Sequence, residues 1–499
     1  MDRRRAASLT LTAALITLVA AAPAGASTAG VQGGTLTVTG SGSERNLISV
    51  AVAGTQIRVV DTAARITAGA GCRVSGRTAS CPITGLTELV VDLGDGNDRV
   101  SVSRAVTLRG RLRGGGGNDT LIGGGGPDEL DGGAGRDIVS YDGRPDPVRV
   151  SIGEGADDGA PGEGDNVIAV EQLIGGAGAD TLIGSGTGER IEGRNGNDTI
   201  DGRGGNDALI GGAGADVLQG GDGDDVFVAS SASDGADTMQ GGAGGDRADY
   251  AARTRGVVAD PDGRPDDGER PGGGLSAVGL VPAIALLSSS EGDNLMPDVE
   301  HLRGGSADDV LAAGATAGRI EGGRGTDVVQ GGRGADTLDG GAGFDRLLAR
   351  DGRTDRIACG TEGDRAFVDG NDTPGADCES VLRSFAVTLA PLARTATDGA
   401  VPVRVSCPAQ AATRCVGAVR AMTFRKLRTP GGKLRNATLG AARFNVPAGT
   451  TVDVQLRLSD AGRATLQRLG GATRVRLAAR GRDEAGVGRP SSRRFVLRG

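Results

Sequence analysis

GRNGNDTID, GRGGNDALI, GGAGADVLQ, GGDGDDVFV: residues Gly193 to Val228 divide into four nonapeptides in a single register. Asp198, Asp207, Asp216 and Asp225 hold the sixth slot, and Ile200, Leu209, Leu218 and Phe227 hold the eighth. The pattern is G-G-x-G-x-D-x-U-x, where U is a large apolar residue. A fixed period of this kind marks a stacked repeat, in which each unit covers the apolar face of its neighbour. Glycines permit tight turns at positive φ. The x-U-x triplet reads as a three-residue strand with one side chain directed to a core. Each turn then sets its carboxylate over the next, and such a pile of like charges asks for a cation.

The same register extends outwards in both directions. LGDGNDRVS, residues 93–101, already carries the turn, with Asp98 in the sixth slot. A first clear block, residues 114–140, holds Asp119, Asp128 and Asp137. The second opens at Gly175 with Asp180, places Glu189 in the acidic slot, and runs through the four clean units. After three extra residues (229–231) it resumes with Asp237 and Asp246. A third block holds Asp309, Asp327, Asp336 and Asp345, with Gly318 in the slot between the first two. Beyond Leu348 the register slips towards Cys359 and Cys378, as in a stapled end-cap. A stack needs such a cap because its last turn has no neighbour to cover it.

Two longer connections separate the blocks, and they resemble each other. One, residues 141–176, contains Asp157-Asp158-Gly159, Glu163-Gly164-Asp165-Asn166 and Val170-Glu171-Gln172-Leu173. The other, residues 250–305, contains Asp266-Asp267-Gly268, Glu291-Gly292-Asp293-Asn294 and Val299-Glu300-His301-Leu302. The larger repeating unit is therefore a block plus a loop. Two readings of the acidic loops stay open, further cation sites or solvated turns. The apolar residues 275–287 read as local packing or as a contact site.

These nonapeptides resemble the RTX (haemolysin-type) calcium-binding repeat proteins, and the resemblance covers roughly half of the chain. It implies a parallel β-roll that holds Ca²⁺ between a turn and the one eighteen residues on. The implied ligands are turn carbonyls and the sixth-slot aspartates named above, from Asp98 to Asp345. Ca²⁺ suits such a set because it accepts six to eight oxygens in forgiving geometry. Many RTX toxins leave the cell through an uncleaved C-terminal signal and carry an apolar pore-forming region. Neither feature is legible here, so haemolysis is not implied.

Composition agrees with a fold that does not rest on a large apolar core. Of 499 residues, 92 are Gly and only 18 Pro without a G-X-Y period, which excludes collagen. Aromatic residues make up 2% and Trp is absent. The first 26 residues read as a secretory signal: Arg3, Arg4 and Arg5, an apolar run over 9–22, and Ala24-Gly25-Ala26 as an A-x-A cleavage site. No later apolar run is long enough to span a bilayer as a helix. Six cysteines fall into three close pairs, Cys72/Cys81, Cys359/Cys378 and Cys407/Cys415. Three local disulfides and an oxidising, extracellular compartment are the simplest reading.

The expected fold is all-β in four parts. They are a signal peptide (1–26), a β-rich lead-in (27–112), a β-roll with two acidic inserts (113–384) and a basic β-sandwich (385–499). In the last part Arg and Lys outnumber Asp and Glu about fourfold. Its predicted strands are 385–389, 402–405, 416–424, 451–458, 473–478 and 494–497. Pro402 should lie at a strand start or an edge, and Ser459 should cap a short helix over 459–469.

The expected function is a secreted calcium-binding protein with a structural or adhesive role, and not an enzyme. With His301 as its one histidine the chain has no H-E-x-x-H, and it contains neither G-x-S-x-G nor a P-loop. Two alternatives stay in view: a hydrolase carried on an RTX scaffold, and attachment of the basic domain to an anionic cell-wall polymer.

Overall fold

The computed structural model describes residues 26–269, 289, 291–383, 388–391, 400–407, 414–423, 427–428, 434–435, 438–447, 450–468, 472–482 and 490–498. The signal reading, Ala26 apart, lies outside the described residues, as does the apolar stretch 275–287. The described residues divide into two compact units, one ending at Gly176 and the other starting at Ala177. Nearly all regular elements are strands, and the one helix among the described residues is Asp460–Arg468. No helix among them is long and apolar enough to cross a membrane.

In the first unit, Thr35–Thr39 forms the strand that its alternation predicts, with Leu36 and Val38 buried. The runs expected at 47–52, 56–60 and 88–93 appear as Leu47–Ala53, Gln56–Asp61 and Glu88–Asp92. Four further strands are added: Ala26–Gln32, Arg65–Ala68, Arg73–Ser75 and Thr78–Pro82. Thr78–Pro82 runs antiparallel to Gln56–Asp61 and is fastened by the Cys72–Cys81 disulfide.

Past residue 88 the pairing turns parallel. Glu88–Asp92, Arg109–Gly116, Asp128–Ala134 and Asn166–Ile168 follow one another in one sheet. Arg99–Val102, Thr120–Ile122, Ile138–Ser140 and Gln172–Ile174 follow one another in a second. Successive strands thus alternate between two sheets, which is the parallel β-roll. Leu112, Leu130 and Val167 from one sheet and Leu121, Val139 and Leu173 from the other are fully buried.

The second unit repeats this scheme, with a strict offset through its clean units. Thr199 faces Val217 in one sheet and Arg190 faces Ala208 in the other, each eighteen residues apart. Eighth-slot residues Ile200, Leu209, Leu218 and Phe227 are all buried. The strands of the first three clean units are six residues long rather than three, and that of the fourth, Val226–Val228, keeps three. Pairing continues through the following G-G-x, where Arg203 faces Gly221 and Arg194 faces Gly212. Each of these pairs sets an arginine at positive φ (84° at Arg194, 69° at Arg203) against a glycine, so the backbones stay in register into the turn. The sheets persist past Leu348, through Arg356–Ala358, Arg365–Val368 and Ser380–Arg383, with Cys359 and Cys378 joined.

Beyond residue 388, seven antiparallel strands make one sheet. Its order is Thr388–Pro391, Ala400–Ser406, Thr451–Leu458, Thr438–Pro447, Arg414–Thr423, Ala472–Arg482 and Pro490–Arg498. The first and last of these lie against each other. Val403, Val405, Phe444, Leu456, Val475 and Leu477 fill the core, and Cys407–Cys415 is bonded. Thr438–Pro447 is the strand that sequence reading omits. Pro402 sits in an inner strand, contrary to expectation. The outer strand pairs only with residues 403–406, so Pro402 faces a partner on one side, Gln455. Ser459 does cap the helix, its Oγ accepting from the N–H of Gly462 at 3.0 Å.

Candidate metal centre

The sixth-slot carboxylate does two jobs with its two oxygens. Oδ1 accepts the backbone N–H of the sixth-slot residue eighteen positions earlier. Asp180 donates to Asp198, Glu189 to Asp207, Asp198 to Asp216 and Asp207 to Asp225, at 2.7–2.8 Å. The ladder tolerates insertions, since Asp216 donates to Asp237 and Asp225 to Asp246, twenty-one residues on. In the first unit Asp98 donates to Asp119 and Asp119 to Asp137. In the third block Asp309 donates to Asp327, Gly318 to Asp336 and Asp327 to Asp345. Gly318 keeps its place because the ladder needs only its amide.

Oδ2 is different. In Asp98, Asp119, Asp137, Asp198, Asp207, Asp216, Asp225, Asp246, Asp327, Asp336 and Asp345 this oxygen is buried and meets no hydrogen-bond donor. A buried, unpaired carboxylate oxygen carries a heavy desolvation cost. Beside it lies a second oxygen. A Cβ built on Gly193 would come within 2.3 Å of Asp198 Oδ2 and 2.6 Å of the Gly211 carbonyl oxygen. The same pair, carboxylate and carbonyl, crowds Gly202 (Asp207 and Gly220), Gly114 (Asp119 and Gly132) and Gly304 (Asp309 and Gly322). The first-slot glycine therefore makes room for two converging oxygens. Donor-poor clusters of hard oxygen fit a calcium ion, which takes carboxylates and carbonyls together.

The fourth-slot glycine has another reason to be bare. Gly214 has φ of 144°, and a Cβ there would lie 1.6 Å from the carbonyl oxygen of Gly196. Turns stack backbone on backbone at this point, so no side chain can intervene.

Burial pushes these carboxyls up. Asp198 and Asp207 rise to about 7, Asp327 to about 8, and Asp98, Asp137, Asp246 and Asp345 to about 6, in each case first through desolvation. Neighbouring carboxylates add to the shift, Asp216 and Asp180 acting on Asp198. An array that strains against its own charge in this way is one that a divalent cation would relieve.

Two expected ligands have their second oxygen supplied by protein. Asp128 Oδ2 accepts from the N–H of Gly124, and Asp309 Oδ2 from that of Gly305. Conversely, the ladder reaches residues that period counting misses. Asp336 donates to Asp355, Asp345 to Asp364 and Asp355 to Asp372. Spacings of nineteen and seventeen hide these three, although D-R-I and D-R-A repeat the D-x-U signature at 355 and 364.

Four acidic residues of the inserts are not solvated. Asp158, Asp165, Asp267 and Asp293 are buried. Asp165 takes the N–H of Asp128 and Glu171 that of Asp137; in the second insert Asp293 takes the N–H of Asp237 and Glu300 that of Asp246. Asp260, Asp266 and Asp267 bring one oxygen each within 4.8 Å, the group among the described residues with metal-ligand spacing.

The family of the RTX calcium-binding nonapeptide repeat (four copies) matches residues 111–143, 170–200, 183–218, 201–234, 231–249 and 313–347. A search of curated proteins finds no match. The match falls on the two-sheet roll described above, and the repeats of this chain bind Ca²⁺.

Proposed function

We propose that this chain, an RTX-repeat protein, is an exported structural scaffold whose roll closes only when its carboxylates are neutralised. The supporting observation is the row of buried Oδ2 atoms without donors, of which those of Asp119, Asp198, Asp207, Asp225, Asp327 and Asp345 lie beside a carbonyl oxygen of the neighbouring turn. Bound Ca²⁺ supplies the positive charge that these oxygens lack. The chain's own residues do the rest. Sixth-slot Oδ1 atoms set the register through backbone amides, eighth-slot side chains fill the space between the sheets, and first-slot glycines keep the oxygens accessible.

Extracellular calcium modules bind at about 10⁻⁴ to 10⁻³ M. A scaffold in that range stays open in the cytosol and closes after export, with binding energy entering as folding energy. Three disulfides agree with an oxidising destination. The test is circular dichroism of the mature protein during a calcium titration. A β signal that grows with millimolar Ca²⁺ supports the reading, and one that is the same in chelator overturns it.

A second reading adds attachment through the C-terminal sheet. Arg420, Arg443, Arg457 and Arg476 are exposed, each next in sequence to a buried residue (Val419, Phe444, Leu456 and Val475). Alternation therefore puts them on the side of the sheet away from its core. The one carboxylate on these strands among the described residues is Asp453, and Arg404 pairs with both its oxygens at 2.9 and 3.2 Å. Such a face suits an anionic polymer. Retention of the full chain on a phosphodiester polymer, lost at high salt and in an Arg420→Ser/Arg443→Ser/Arg476→Ser variant, would bear this out. Retention unchanged by either would contradict it.

A further inference from the structure

The two inserts carry the same buried constellation at corresponding places. Tyr141 and Tyr250 are buried; Tyr141 donates its hydroxyl to Oδ2 of Asp165 at 2.9 Å, and Tyr250 to Oδ2 of Asp293 at 3.1 Å. Three residues after each tyrosine comes a buried arginine, Arg144 or Arg253, exposed by only 3% and 1%. Arg144 binds Glu163 and the carbonyl oxygen of Gly124, and its guanidinium lies 5.4 Å from the Tyr141 ring centre. Arg253 binds Asp234 and Glu291, both at 2.7 Å.

The contrast with the regular turns is chemical. Asp165 and Asp293 sit in the ladder as sixth-slot residues do, each taking a backbone N–H on Oδ1. In eleven of the regular turns, from Asp98 to Asp345, the other oxygen is bare. Here a tyrosine hydroxyl satisfies it, and a guanidinium within the same cluster supplies positive charge to the adjacent glutamate. Gly124 also lends Arg144 a turn carbonyl, the type of oxygen that elsewhere lies beside a bare Oδ2. A buried guanidinium keeps its charge and presents several donors to carboxylate and carbonyl oxygens at once.

We infer that Arg144 and Arg253 stand in for the cation at the two inserts, so that these joints hold without metal and divide the calcium-dependent turns into separate segments. The inference rests on the calcium reading of the regular turns. It gives the duplicated inserts a purpose: each is a permanently closed turn from which neighbouring turns stack when calcium arrives.

Hydrogen exchange on the full chain, read by peptide mass in calcium and in chelator, tests it. In chelator, peptides from 141–176 and from 250–269 with 291–303 are expected to stay protected at least tenfold more than those from 193–228. Equal, fast exchange in all of them would overturn the inference and leave the calcium reading intact. Equal, slow exchange would overturn the calcium reading and this inference with it. A second arm uses Arg253→Gln. With the guanidinium gone, Asp234, Glu291 and Asp293 become a site that needs a cation, so protection of 291–303 should turn calcium-dependent. Protection lost alike with and without calcium would show an ordinary structural arginine and overturn the assignment.

Discussion

The backbone N–H of Asp207 donates to Oδ1 of Asp225 at 2.8 Å, while Oδ2 of Asp225 is buried and meets no donor. One side chain thus divides its labour, one oxygen fixing the register and the other awaiting a positive charge. The division recurs along the repeat array, and the following expectations derive from it.

Substitutions at Asp207 should separate the two jobs. Asp207→Asn keeps an acceptor for the Glu189 amide but lowers the charge, so calcium affinity should fall while the fold in saturating calcium survives. Asp207→Ala also leaves that amide buried and unpaired, at a further cost of about 1–3 kcal/mol. Calcium titration of both variants, with denaturant unfolding in excess calcium, would check the order.

The first-slot glycine should be intolerant for steric reasons. In Gly193→Ala the new methyl would press on Asp198 Oδ2 and the Gly211 carbonyl, costing about 1–3 kcal/mol and weakening calcium binding. Gly186→Ala is the control, because nothing lies within 4 Å of a Cβ there. Midpoints of thermal unfolding in calcium should differ between the two variants.

Much of this was legible in the sequence, and the exceptions have physical causes. The strand at Thr35–Thr39, the stacked repeat, the three disulfides and the Ser459 cap follow from alternation, period, proximity and side-chain chemistry, and the two-sheet roll from the resemblance to RTX repeats. Asp355, Asp364 and Asp372 escaped because one residue more or less per turn defeats a count of nine, though not a backbone hydrogen bond. Asp165 and Asp293 escaped because they join the ladder 37 and 56 residues from their donors. Their signal was present in the duplicated E-G-D-N. Nothing in a single sequence says that a loop folds back into the slot it interrupts.

Acidity should oppose calcium. Folded-state values of about 7 for Asp198 and Asp207 and about 8 for Asp327 lie above the ordinary 3.8. In the metal-free chain these groups therefore favour the closed form at low pH, and that contribution is lost as pH rises from about 4 towards 7–8. Calcium competes with the same protons, so its affinity should climb between about pH 6 and 8 with proton release on binding. Calorimetry in two buffers of different ionisation enthalpy would measure the release.

The Cys359–Cys378 bond closes the far end of the ladder, with a sequence separation of 19. Cys359→Ser/Cys378→Ser should cost about 3 kcal/mol. The loss should appear as fraying of residues 346–383, read by limited proteolysis, with the turns at 193–228 unaffected.

The most direct test of the central claim is amide exchange, by NMR, at the donors of the ladder in residues 193–228. In millimolar calcium the N–H groups of Asp198 and Asp207 should exchange slowly, and in excess chelator near pH 8 at close to the rate of an open chain. Slow exchange that persists unchanged in chelator would mean that the carboxylates stack without a cation, and the account would be contradicted.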